Sequence, residues 1–134
     1  MELIISSDPR WLRMVRVMMQ EFARQAGFGE RERREITIAV DEALANVIKH
    51  SYKGDHKGAV SLTCAVADGH LEVVLKDQGE AFDQQGFRLQ PPDALRAGGR
   101  GTFLIHSTMD EVEYRRAGDT NVLRLRKYMK ERAG

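Results

Sequence analysis

The sequence predicts an α+β fold in which helices cover one face of a mainly antiparallel sheet. Alternating apolar and polar residues on both sides of the turn signals Asp68-Gly69 and Gly118-Asp119 predict two β-hairpins. Apolar residues three and four positions apart, ahead of the first hairpin, predict two amphipathic helices. The elements follow in the order strand, helix, helix, hairpin, loop, helix, hairpin, which predicts a two-layer α/β sandwich.

The composition is that of one globular domain, residues 1–134, with 31% charged and 42% hydrophobic residues. A net charge of +1 gives no electrostatic reason to expect nucleic acid as the main partner. No apolar stretch approaches the length of a membrane span, and the first residues do not resemble a signal peptide. The single cysteine, Cys64, excludes an intrachain disulfide, so we expect a cytoplasmic protein.

The first strand is predicted at Leu3–Ser6, at an edge of the sheet. Asp8 is a suitable N-cap and Pro9 a suitable first residue for the helix that follows, and Gly27 is placed to end it. The predicted apolar face of this helix consists of Trp11, Val15, Met18, Phe22 and Ala26.

The central helix is predicted at Glu35–Tyr52, after the charged segment Glu30–Arg34, and Gly54 is placed to end it. Its apolar residues recur at the spacing of a core-facing stripe. This stripe consists of Ile36, Val40, Ala43, Leu44 and Val47.

A ladder of polar side chains lies beside that stripe, because Glu42, Asn46 and His50 follow one another by four positions. Polar groups at the margin of a core cost free energy unless they are bonded or used. The ladder is therefore a candidate functional site. For His50 alone, a hydrogen bond to a nearby carbonyl group is the simpler explanation.

The first hairpin places its apolar side chains on one face of the sheet. These residues are Val60, Leu62, Cys64, Val66, Leu71, Val73 and Leu75. Continuing the second strand by two residues puts Asp77 on the same, core-facing side. Gly79 then allows either backbone angles that are closed to other residues or close approach of another group. The alternative is that Asp77 only caps the turn after the strand, and Cys64 is expected to be inert core.

Residues 84–97 show no periodicity and contain Pro91-Pro92, a pattern typical of a lid or binding loop. Gly98–Gly101 then opens directly into a predicted buried helix, Thr102–Met109. A glycine-rich turn at a helix N-terminus presents free N–H groups and is suited to phosphate. Taken alone, these glycines are better explained by a flexible turn.

The last two strands are predicted at Glu111–Arg116 and Thr120–Lys127, with Leu123 and Leu125 facing the core. The remaining histidines do not have the spacing of metal ligands relative to Cys64, so we expect no zinc site.

Three features converge on a nucleotide: the ladder, the inward Asp77, and the glycine-rich helix start. A carboxylate such as Asp77 can accept a hydrogen bond from the exocyclic amine of adenine. The carbonyl oxygen of Asn46 suits Mg²⁺, which takes few protein ligands. Glu42 can remove a proton from an attacking hydroxyl group or water. Together these groups describe an ATP site.

The sequence resembles the GHKL-type ATP-binding domain of type II topoisomerases, heat-shock chaperones and histidine kinases. It is more closely similar to the bacterial anti-sigma-factor serine kinases of partner-switching systems. EALANVIKH, residues 42–50, matches the family's N-box; DQGEAFD, residues 77–83, matches its first glycine box; and GGRGTFLI, residues 98–105, matches its second. The resemblance covers nearly the whole chain and implies a mainly antiparallel, mixed sheet with helices on one face.

The resemblance implies that Glu42 is the general base for a substrate serine and that Asn46 binds Mg²⁺. It implies ATP as the cofactor and residues 84–97 as a lid over it. The implied nucleotide-binding residues are Asn46, Asp77, Gly79, Phe82, Arg96, Gly98, Gly99, Arg100, Gly101 and Thr102. Which of the two arginines meets the γ-phosphate stays open. The implied partners are an anti-anti-sigma (STAS-type) protein as substrate, a sigma factor, and a second copy of the chain.

Two other functions stay open at this point. In the first, the chain is a non-catalytic module whose bound nucleotide only sets the shape of a partner-binding surface. In the second, it is the isolated ATP domain of a histidine kinase. The glutamate at position 42 favours the kinase over the non-catalytic module, and no dimerisation helix or phosphoacceptor histidine is expected ahead of the domain.

Overall fold

The structure, a computed structural model, describes residues 1–81 and 100–130, and over 100–102 the backbone alone. Its strands are β1 (Glu2–Ser6), β2 (Ala59–Ala67), β3 (His70–Asp77), β4 (Glu111–Ala117) and β5 (Thr120–Tyr128). They form one five-stranded sheet in the order β1-β2-β3-β5-β4. All four pairings between these strands are antiparallel, so the described strands contain no parallel pair of a mixed sheet. The α+β class and the element order are confirmed.

The first helix, α1 (Leu12–Ala26), follows a single 3₁₀ turn, Pro9–Trp11. Asp8 caps that turn by accepting a hydrogen bond from the backbone N–H of Arg10, and Gly27, with φ 100°, ends α1 as predicted. The predicted apolar face is confirmed at Val15, and Phe22 and Ala26 pack against the core, but the centre of the face lies about one position further along the chain. The fully buried residues of α1 are Val15, Met19 and Ala23. They form a row of i, i+4 neighbours, and the predicted Met18 and Phe22 lie at its half-buried margin.

The central helix, α2 (Glu30–Asn46), begins five residues earlier than predicted. The charged segment is its first turn, because carboxylates near a helix N-terminus are favoured by the helix dipole. Ion pairs across one turn, Arg34–Glu30 and Arg31–Glu35, each at 3.6 Å, add support. All five residues of the predicted stripe are buried. The helix then widens into a π turn, Val47–Ser51, so the predicted end at Tyr52 is nearly correct.

The β2–β3 hairpin turns at Asp68-Gly69, where both residues have positive φ, 51° and 77°. The predicted inward residues are buried except Val66, which is 43% exposed. The pairing of β1 with β2 extends only as far as Thr63, so Val66 lies beyond the end of the neighbouring strand and is uncovered on that side.

The core lies between one face of the sheet and the helices, with α2 packed against both α1 and α3 (Arg100–Thr108). Lys127 joins three elements here: its buried ammonium group donates to the Thr108 carbonyl oxygen and lies 3.3 Å from Glu35 Oε2. None of the described helices is both long and apolar enough to cross a membrane.

Cys64 is fully buried on β2, and its Sγ lies 3.5 Å from Met19 Sδ. Burial raises the pKa of this thiol from 9.0 to about 11. Below a pH of about 9 the thiol keeps its proton in both the folded and the unfolded chain. Between about 9 and about 11 the unfolded chain has released this proton and the folded chain has not. Stability should therefore fall as the pH rises from about 9 to about 11, by up to about 3 kcal/mol, and then level off.

Urea unfolding at a series of pH values measures this effect. In Cys64→Ala the free energy of unfolding should fall less over that pH range, because the contribution of the thiol is removed. The variant is nevertheless less stable at neutral pH, because the substitution leaves a cavity. Identical pH profiles for the two proteins would contradict the assignment.

Candidate functional site

Asp77 ends β3 with its side chain only 4% exposed, on the core-facing side as predicted. Its Oδ1 accepts two hydrogen bonds, each of 2.9 Å, from Asn121 Nδ2 and from the backbone N–H of Gly79. The bond from Gly79 closes the turn after the strand, so the capping alternative is also observed. The two interpretations are compatible because capping uses only one of the two carboxylate oxygens.

The second oxygen of Asp77, Oδ2, receives no hydrogen bond from residues 1–81 or 100–130. A carboxylate oxygen can accept about two hydrogen bonds. Oδ2 is therefore the atom through which Asp77 can accept from a ligand.

The turn after β3, residues 78–80, is called here the glycine turn, and it packs against the end of the central helix. A Cβ atom built on Gly79 would lie 2.3 Å from the carbonyl oxygen of Ser51. That same oxygen accepts from the backbone N–H of Glu80 at 2.7 Å, and Tyr52 Oη accepts from the N–H of Gln78 at 2.9 Å. Position 79 therefore requires glycine for a reason within the protein, whatever approaches from outside.

Ser51 has a second unusual feature. Its Oγ is buried and has no hydrogen-bond partner within the part of the chain that the structure describes. An unpaired buried hydroxyl group is destabilising. It lies in the π turn, a distortion that occurs frequently at functional sites. The unpaired hydroxyl group therefore lies where the segment that follows the N-box packs against the first glycine box.

Asn121 is a site residue that the sequence analysis did not identify. It is 1% exposed, lies opposite Asp77 in the β3–β5 pairing, and shares a sheet face with the predicted inward residues Leu123 and Leu125. The alternation that found Asp77 at the end of β3 would also have found Asn121 at the start of β5, two residues before Leu123.

Of the predicted polar ladder on the central helix, Glu42 and Asn46 lie at the margin of the core and His50 does not. Glu42 and Asn46 are half-buried beside the buried stripe, and neither forms a hydrogen bond or ion pair with the described residues. His50 is exposed in the π turn, and its predicted bond to a carbonyl group is not found among the described residues. The contact of Ser51 with Gly79 places the end of this ladder at the same end of the molecule as Asp77.

The glycine-rich stretch opens into α3, as predicted, but the helix begins at Arg100 rather than Thr102. Gly101 and Thr102 therefore belong to its first turn, where backbone N–H groups have no partner inside the helix. The predicted lid, residues 84–97, lies outside the described residues. So do Phe82, Arg96, Gly98 and Gly99, and the side chains of Arg100 and Thr102.

No group of three histidine, cysteine or acidic residues within the described ranges is arranged to hold a metal ion. A magnesium ion bound with a nucleotide does not need such a group, because it commonly takes one or two protein ligands.

Comparison with known proteins assigns the chain to a protein family. The model of the histidine kinase-like ATPase domain matches residues 5–127. The serine-protein kinase RsbW of Bacillus velezensis is 34% identical over 120 residues, which are 84% of this chain and 75% of that protein. The serine-protein kinase RsbW of Staphylococcus epidermidis is 33% identical over 140 residues, covering 97% of this chain and 87% of that protein.

Two solved structures share the fold. One contains the RsbU and RsbW domains of a Mycobacterium tuberculosis protein, with TM-score 0.69 and 17% identity. It matches 96% of this chain, which spans only 31% of that longer protein. The other is the histidine kinase domain of a blue-light-activated kinase from Erythrobacter litoralis, with TM-score 0.58, 18% identity, and coverage of 90% of this chain and 60% of that one.

Proposed function

The chain belongs to the histidine kinase-like ATPase family and, within it, to the serine-protein kinases, and from this premise we propose the following reaction and partners. The protein transfers a phosphoryl group from ATP to a serine of an anti-anti-sigma (STAS-type) protein. It also sequesters a sigma factor, and the two partners compete for it. We further propose that it works as a homodimer in the cytoplasm.

The observation that carries this proposal is the state of Asp77. One oxygen of its buried carboxylate is engaged by two protein donors, and the other receives none from the described residues. An open acceptor on an otherwise buried side chain fits the exocyclic amine of adenine, and it would reject the carbonyl oxygen that guanine has at that position.

Three other groups support the proposal: the carboxamide of Asn46, the first turn of α3 and the carboxylate of Glu42. Asn46 has a carboxamide that no described residue uses, which fits one ligand position of Mg²⁺. The free N–H groups at the start of α3 fit phosphate oxygens. When bound, ATP would supply the γ-phosphoryl group and leave as ADP, and Mg²⁺ would neutralise negative charge on the phosphates. Glu42 would accept the proton of the substrate serine hydroxyl group.

Replacing Asp77 by asparagine tests the proposal with little change in structure. The amide oxygen of the new side chain can take the place of Oδ1 and keep both internal hydrogen bonds, while its NH₂ group replaces Oδ2. A donor then faces the donor of adenine. We expect the affinity for ATP and ADP to fall by about tenfold to a hundredfold.

Titration calorimetry with Mg²⁺ and ATP, ADP or GTP measures the effect. Asp68→Asn is the matched control, because it makes the same change in the exposed turn at the other end of β3, where asparagine tolerates the positive φ. Wild-type protein should bind adenine nucleotides much more tightly than GTP. Unchanged ATP affinity in Asp77→Asn would refute the assignment of Asp77.

A further inference from the structure

Asn121, at the start of β5, uses its full hydrogen-bonding capacity. Its Nδ2 donates to Asp77 Oδ1 at 2.9 Å and to the Glu80 carbonyl oxygen at 2.8 Å. Its Oδ1 accepts from Tyr114 Oη at 2.6 Å and from Arg116 Nη1 at 3.0 Å. A carboxamide has two donors and about two acceptor positions, so this buried side chain has no capacity left.

The network fixes the orientation of the amide. The Arg116 guanidinium can only donate, and the carbonyl oxygen of Glu80 can only accept. A flipped amide would place donor against donor at Arg116 and acceptor against acceptor at Glu80. The NH₂ group of Asn121 must therefore face Asp77.

Asn121 and Arg116 also hold the glycine turn from the side of the sheet. Arg116 Nη1 donates to the carbonyl oxygen of Gly79 at 3.0 Å, and Asn121 holds that of Glu80. The end of the central helix holds the same turn from the other side, through Ser51 and Tyr52. The carboxylate of Asp77 thus lies directly before a turn that is hydrogen-bonded on both sides.

We propose that Asn121 is a positioning residue for recognition of the adenine ring, on the premise of the nucleotide site proposed above. By donating to Oδ1 it fixes which oxygen of Asp77 is left for the base. Tyr114 and Arg116, on the edge strand β4, fix Asn121 in turn. Selectivity for adenine therefore depends on residues of β4 that do not contact the base, because they orient Asn121 and Asn121 orients Asp77.

Asn121→Asp and Asn121→Ala test the proposal. Aspartate would set acceptors against Asp77 Oδ1 and the Glu80 carbonyl oxygen, and alanine would remove the donor without this repulsion. We expect ATP affinity to fall by more than about tenfold in Asn121→Asp and by less in Asn121→Ala. The dissociation constant for GTP divided by that for ATP should decrease in both variants. Tyr114→Phe, which removes one bond that fixes the amide, should shift the ratio in the same direction but less.

The GTP/ATP ratio separates positioning from a general loss of stability. Leu71→Ala is the control, because Leu71 is fully buried at the far end of β3, opposite Lys127, and its truncation should lower stability without changing the ratio. All variants are measured by calorimetry on the full chain after their folding is confirmed by circular dichroism. If Asn121→Asp does not fold, the affinities and ratios of Asn121→Ala and Tyr114→Phe test the proposal.

The two proposals fail in different ways. Absence of adenine-nucleotide binding by wild-type protein would refute the nucleotide site itself. Wild-type binding together with unchanged affinity and an unchanged ratio in the Asn121 variants would overturn only the role of Asn121.

Discussion

We expect Glu42→Gln to lower the rate of phosphotransfer to a substrate serine by about 10²–10⁴-fold and to leave ATP affinity nearly unchanged. Glutamine keeps the size of the side chain but cannot take up the serine proton. Glu42 forms no bond with the described residues, so removing its charge breaks no contact there. Radiolabelled ATP and a purified anti-anti-sigma protein give the transfer rate, and calorimetry gives the affinity.

Glu32→Gln is the matched control, since it makes the same change in the first turn of the same helix, far along α2 from the glycine turn. Its transfer rate should equal that of wild type. Retained transfer in Glu42→Gln would exclude the general-base role. Nucleotide and sigma-factor binding by a wild-type protein that transfers no phosphate would instead favour the non-catalytic, nucleotide-regulated binding module.

We expect Gly79→Ala to lower both the stability of the protein and its affinity for nucleotide. A methyl group at this position would lie 2.3 Å from the carbonyl oxygen of Ser51 and 2.5 Å from its carbonyl carbon, so backbone must move. Overpacking of this kind costs about 1–3 kcal/mol, and occasionally more. The displaced turn carries the N–H group that holds Asp77 Oδ1. The aspartate should therefore lose its fixed position, and the thermal shift produced by ATP should disappear.

Gly29→Ala provides the comparison, because the nearest atom to a methyl group there is the flexible Glu32 Oε1 at 3.7 Å. That variant should keep wild-type nucleotide affinity and lose at most about 1 kcal/mol from a weaker helix N-cap. A Gly79→Ala protein with wild-type stability and ATP response would show that the turn and the π turn move apart easily.

Local periodicity was sufficient to predict most of the fold. The stripe of the central helix and the inward position of Asp77 follow from spacing alone, since periods of 3.6 and 2 determine which side chains share a face. The same rule reaches Asn121 from Leu123, but the alternation of β5 was not continued back to the first residues of that strand. The early start of α2 was missed because the apolar period begins only at Ile36, whereas charges support the first turn.

Other features depend on contacts that no local pattern encodes. Ser51 and Gly79 meet because the end of α2 and the end of β3 are brought together by packing of the whole domain. Val66 has the correct alternation but lies beyond the end of β1, and strand length in a neighbour is invisible from its own sequence. The four bonds of Asn121 likewise join three strands and a turn.

The position of β5 has a consequence for protein synthesis. This strand follows the other described strands along the chain, yet it lies between β3 and β4 in the sheet. Asn121 is 44 residues beyond Asp77, so a nascent chain that already contains the N-box and the first glycine box still lacks the partner that fixes the carboxylate. Pairing at such sequence separation forms late, because the intervening loop must first be closed. On the proposed assignment, ATP would therefore not guide the early folding of this domain on the ribosome, and the proposed nucleotide site would be complete only once the last hairpin has formed.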